Sequence, residues 1–206
     1  MARRRPNFNQ LVRALIRDIA RHMPEFGHIK ASRILVVAGE ARRASRGTVK
    51  PLKVRPGDRR AKAVVTVNGR RMLYCITLRP LFFRSSSAKG RMGTLLHELY
   101  HISPRFDGTL DEHRRHEAMG KGFGAKLRPL VRRYLRQCPP ELWAAMAFDG
   151  EVRVLHWLER PSANLTSRKR QAGRLYTETQ LFFGPVKMIT PPSHPVRMAK
   201  SSVSLH

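Results

Sequence analysis

His97, Glu98 and His101 form an H-E-x-x-H pattern, and these are the residues whose types and spacing could do chemistry. On an α-helix, positions i and i+4 share one face about a turn apart, so both imidazoles can reach a single ion. Glu98, beside the first imidazole, can then point toward water held by that ion. Zinc lowers the pKa of such water toward ~7, and a nearby carboxylate can take its proton. That is the chemistry of metal-assisted amide hydrolysis. The competing account is a core helix whose histidines are merely hydrogen-bonded. A glutamate between them would then need its own partner, because burying an unpaired charge is costly.

The elements that must position these residues are legible around them. Met92, Leu95, Leu96, Leu99 and Ile102 recur at helical spacing and predict a buried helix over residues 88–102. Ser85, Ser86 and Ser87 offer an N-cap, and Pro104 stops the helix. Phe82 and Phe83 are expected to pack beneath it. A catalytic zinc usually has three protein ligands and a water. Asp107, His113 and His116 follow at once as candidates for the third. Asp107 stands where the longer pattern H-E-x-x-H-x-x-G-x-x-H puts its last ligand, but Pro104 replaces the turn glycine. Asp107 also suits the role of acceptor for a ligating imidazole's other N–H.

Upstream, Leu11, Leu15, Ile16 and Ile19 place a helix over residues 8–22. The run 33–38 (RILVVA) reads as a strand. Residues 39–60 read as a basic loop with one broken strand near 49–54. Residues 61–67 and 70–78 flank Asn68-Gly69, which predicts a hairpin with a type I′ turn. Downstream, residues 103–122 read as a loop and 123–137 as a helix, apolar on one side and basic on the other. Pro129 predicts a kink or a later start there. Helical turns at 141–147 and strands at 151–158 and 175–183 complete the pattern. Trp143 and Trp157 are expected in the core.

The chain of 206 residues carries 41 Lys and Arg against 14 Asp and Glu, a formal charge of +27. Such a surface attracts polyanions, nucleic acid first among them. Two distant cysteines, Cys75 and Cys138, read as free thiols of a reducing cytoplasm. No run approaches the ~18 apolar residues of a membrane span, and MARRRPNF lacks the apolar core of a secretory signal. The domain reading is a basic arm (1–7), a catalytic domain (8–138), an appendage with strands (139–189) and a disordered tail (190–206).

The stretch MLYCITLRPLFF followed by GTLLHELYHISPRFDGTLDEH resembles the phage and archaeal metallopeptidase family and, more remotely, SprT-like zinc proteases. The resemblance covers residues 8–136. It implies an α+β, zincin-like fold: a small, mostly antiparallel sheet packed on the H-E-x-x-H helix and its neighbours. It implies a zinc peptidase with His97 and His101 as ligands and Glu98 as general base. His113 matches the downstream histidine of the phage and archaeal family, and His116 lies at the longer separation of the SprT-like proteases. The expected Zn2+ site is therefore His97 and His101 with His113 or His116, His113 preferred. The expected partners are a protein or peptide substrate and, through the basic surface, nucleic acid. The alternative is a basic nucleic-acid-binding or phage accessory protein whose zinc is structural or vestigial.

Overall fold

The computed structural model describes residues 7–39, 45–52, 64–120, 122–147, 150–156, 175–176 and 182–188. It is a mixed α+β molecule in which a five-stranded sheet is covered by helices on one face. Helix α1 (Phe8–His22) starts at Asn7, whose side chain accepts the Gln10 N–H. Its buried stripe is Phe8, Val12, Leu15, Ile16 and Ile19, and Leu11 packs at the margin.

Strands β1 (Ile34–Ala38) and β5 (Tyr74–Leu78) are buried at all five positions. A strand buried throughout needs cover on both faces, which favours parallel pairing in the middle of a sheet. Accordingly β1 runs parallel to β5, in register from Ile34–Tyr74 to Ala38–Leu78, and parallel to β6 (Gly150–His156). Strand β2 (Gly47–Pro51) closes one edge antiparallel to β5, and β8 (Phe182–Met188) closes the other antiparallel to β6. The sheet is thus mixed: the antiparallel pairs expected form its edges, and its centre, β5-β1-β6, is parallel. Ile34, Val36, Tyr74 and Ile76 face the helices, while Leu35, Val37 and Cys75 join a second cluster with Val65, Val67 and Met72.

That second cluster explains the other departure. Strands β3 (Val64–Val67) and β4 (Arg70–Arg71) form the Asn-Gly hairpin, with Asn68 at φ 49° and Gly69 at φ 70°, as a type I′ turn requires. The last backbone bond of the hairpin is Met72 N–H to Val65 O, at 2.8 Å. Residues 74–78 leave the hairpin because their continuous burial is met only between β1 and β2. A short parallel partner, β7 (Leu175–Tyr176), completes a three-stranded sheet with β3 and β4. Residues 61–63 of the expected hairpin, the basic arm before Asn7, Trp157 and the tail from 190 lie outside the described residues.

A short helix α2 (Pro80–Arg84) follows β5, and Phe82 and Phe83 pack edge-on against Phe8. Helix α3 (Ala88–Tyr100) is capped by the Ser87 hydroxyl, which accepts the Gly90 N–H. Its Arg91 is buried at 1% exposure and donates to three carbonyls, those of Phe82, Phe83 and Met146. These carbonyls end α2 and α6 (Pro140–Ala147), so one guanidinium satisfies orphan acceptors of two helices. Helix α5 (Gly122–Gln137) runs unbroken through Pro129. The carbonyl that Pro129 leaves without a donor is that of Ala125, and both residues are exposed, so water can serve it.

Among the described residues after 138, strand β6 lies beside β1 within the main sheet. The amide of Asn9 spans these strands, donating to Val36 O and accepting the Leu155 N–H at 2.8 Å. Trp143, expected in the core, is 40% exposed, and Met146 is the buried residue of α6.

Candidate metal centre

Helix α3 delivers His97 in its last full turn and His101 as its C-cap residue, still in the helical region at φ −74° and ψ −15°. The i, i+4 spacing therefore holds, and the two Nε2 atoms stand 3.2 Å apart. Beyond His101 the chain doubles back. Ile102 bridges Leu110, Asp111 N–H bonds His101 O, and Tyr74 of β5 pins the bend by accepting from Gly108 N–H and donating to Thr109 O. Gly108 at φ 86° and Phe106 at φ 49° make the turn. The returning chain enters a short helix, α4 (His116–Met119), at His116. Its Nε2 lies 3.0 Å from that of His97.

One potential ligand atom from each of His97, His101 and His116 lies within 4.8 Å of the others. A tetrahedral zinc with bonds of about 2.05 Å separates its ligands by roughly 3.3 Å. The observed 3.0 and 3.2 Å match that spacing, so the three ring nitrogens converge as the ligands of one cation would. His101 Nδ1 is 2.7 Å from the carbonyl of Arg114, to which it donates, leaving Nε2 as the lone-pair nitrogen. Burial, then the mutual repulsion of the rings, holds His97 down at about 4, and burial also lowers His101. Both effects keep the imidazoles neutral, the form that binds metal.

Phe123 forms the floor beneath the three rings. Its centroid is 4.8 Å from His97, 4.9 Å from His101 and 4.4 Å from His116. Gly120, at φ 51°, turns the chain between α4 and α5 and brings Phe123 there. Arg114 also braces the site: its guanidinium lies 4.6 Å over Tyr100 and pairs with Asp111 at 3.1 Å, which fixes the carbonyl that orients His101. Neither Phe123 nor Arg114 carries a signal of this role in the sequence beyond apolar periodicity and charge.

Glu98 is 6% exposed and lines, with His97, two clefts that meet at the cluster. Burial pushes its carboxyl up to about 7, against the pull of the Val49 N–H and of Arg79. Strand β2 thus runs against α3 at the site. A Cβ on Gly47 would sit 3.0 Å from Thr94 Cγ2 and 3.3 Å from Glu98 Oε1, so a side chain there would crowd both groups by a few tenths of an ångström.

Of the four histidines read as metal ligands, the fold brings together His97, His101 and His116. His113 stands apart, in a separate cleft with Asp107; its N–H is held by Asp111 Oδ1. It sits in the single 3-10 turn Glu112–Arg114, while the chain reaches the cluster only at His116. Asp107 accepts from both the N–H and the hydroxyl of Thr109, and the acceptor for His101 is the Arg114 carbonyl instead.

Residues 4–146 match the family described as "Putative phage metallopeptidase". The chain belongs to this metallopeptidase family. The match begins before α1, contains the whole three-histidine cluster and ends within α6, short of β6 and β8. No curated protein and no solved structure matches the chain. Family and geometry agree at a coarse level: a metallopeptidase needs a metal ion and acts on protein or peptide, and the histidine cluster could hold that ion. No helix among the described residues is long and apolar enough to cross a membrane, and neither Cys75 nor Cys138 is disulfide-bonded.

Proposed function

We propose that the protein is a zincin-like, zinc-dependent peptidase in which His97, His101 and His116 hold the metal and Glu98 is the general base. The observation that carries this is the convergence of three imidazole nitrogens beside a buried carboxyl at the junction of two open clefts. A divalent zinc held there would acidify a water molecule and polarise a substrate carbonyl. Glu98, poised near neutrality, would take a proton from that water and return it to the leaving amine. Strand β2, at the sheet's edge, offers backbone groups to which an extended peptide could pair. Its position along α3 would hold that peptide across His97 and Glu98.

A structural zinc is closed by four protein ligands. Three converge here among the described residues, and the clefts leave access for substrate, which favours a catalytic role over a structural one. The charge of +27 and the outward row Lys126, Arg128, Arg132 and Arg136 on α5 support substrates associated with nucleic acid. The free cysteines support action in the cytoplasm.

The test is metal content and peptidase activity measured together. One zinc per chain, casein cleavage abolished by chelation, and a Glu98→Gln protein that keeps its zinc but is inactive are the expected results. Full activity in Glu98→Gln would sink the assignment. DNA retention across a salt series checks the nucleic-acid part, which binding without a salt slope would remove.

A further inference from the structure

One of the two clefts extends well past the histidines. It has a volume of about 580 Å³ and runs from His97 and Glu98 along α3, over Gly93 and Gly90, to Lys89. Residues 45–47 wall it on one side and Val131 of α5 on the other. Lys89, Gly93 and His97 follow one another at four-residue steps, so they form a single stripe of the helix. A Cβ built on Gly93 would meet nothing nearer than Val131 Cγ1, at 3.9 Å, so the missing side chain is space opened to the cleft. Glycine inside a helix is less favourable than alanine, so here openness stands where helix stability would favour a side chain.

The charge along this cleft is uneven. Among the described residues, Glu98 at the metal end is its only acidic lining residue, and it is buried. At the far end Lys89 and Arg46 are both exposed and, among the described residues, neither is in a salt bridge. We propose that this arm of the groove is a subsite for an acidic residue of the peptide substrate, with Lys89 and Arg46 reading its carboxylate and Gly93 giving it passage. Eight helical residues separate Lys89 from His97, about 12 Å along the axis. An extended peptide covers ~3.3 Å per residue, so the acidic residue lies three or four positions from the bond to be cut. The inference rests on the peptidase reading for its register, but binding tests it without cleavage.

The probes are fluorescein-labelled dodecapeptides of alanine, serine and leucine. They carry two aspartates, or two lysines, three and four residues from the centre. Fluorescence polarisation is measured on zinc-loaded Glu98→Gln protein. The aspartate peptide should bind at least tenfold more tightly than the lysine peptide. Adding Lys89→Glu and Arg46→Glu should remove or invert that preference. The same reversal at Lys126 and Arg132, on the outer face of α5, should leave it. Gly93→Leu should weaken both peptides while the zinc content stays at one. A preference that survives Lys89→Glu with Arg46→Glu, one lost equally with the α5 reversal, or no binding of either peptide would overturn the proposal. Cleavage of the same peptides by the unaltered protein separates the two ideas: cutting without preference removes only the subsite, and preference without cutting removes only the peptidase.

Discussion

Glu98 should make the metal-free protein less stable than it could be, and by an amount that depends on pH. Its carboxyl is shifted from 4.5 to about 7 in the fold, chiefly by burial. Between those values the folded chain keeps a proton that the unfolded chain releases, so stability falls as pH rises through this window. At roughly 1.4 kcal/mol per pH unit, the loss is complete above pH 7 and amounts to about 3 kcal/mol. Glutamine has the same shape, and its carbonyl can still accept the Val49 N–H, but it carries no charge to bury. Chelator-treated Glu98→Gln should therefore match the unaltered protein at pH 4.5 and exceed it by up to about 3 kcal/mol at pH 8. For a chain of this size that is a rise in Tm of roughly 6–12 °C. The assay is thermal and urea unfolding of both proteins at four pH values in the presence of chelator. In the presence of zinc the same substitution should cost about 10²–10⁴ in kcat, the usual worth of a general base. A stability difference that does not change with pH, or a variant less stable at pH 8, would show that the carboxyl is not held in the way the geometry implies.

Further outcomes follow from the same packing. His116→Ala should weaken zinc binding by roughly a hundredfold or more, since even outer partners of ligands are worth 10–100-fold, while His113→Ala should leave it unchanged; competition with a chromogenic chelator measures both. Arg91→Met strands the carbonyls of Phe82, Phe83 and Met146 and should destabilise the fold by about 3–5 kcal/mol in urea titrations. Gly47→Ala should push β2 off α3 and lower kcat/KM about tenfold with zinc content intact, because its Cβ would crowd Thr94 and Glu98. An unchanged kcat/KM would mean that β2 can shift without consequence.

The first histidine pair was legible because its geometry is local: a helix fixes which residues share a face, whatever it packs against. The same holds for the burial of α3, for its Ser87 cap and for the Asn68-Gly69 turn, whose backbone needs few residues can supply. Long-range partners obey no such rule. Separations of 12 and 15 residues from His101 carry no local rule that chooses between His113 and His116, and the preference for His113 rests on the family resemblance alone. What separates them is where the chain goes between, and Tyr74, from a strand more than thirty residues upstream, holds that bend.

Hence the amino-acid sequence alone determined a buried helix presenting two imidazoles and an acid, a strongly basic surface and the presence of strands before that helix. Only the tertiary structure decided that residues 74–78 abandon the hairpin for a parallel place beside β1, since continuous burial demands cover that no local pattern reveals. It alone decided that Phe123 lies beneath the imidazoles, that the Arg114 carbonyl orients His101, and that β2 presses close enough to bury Glu98. These are contacts between residues distant in the chain, and their energies exist only once the chain has closed on itself.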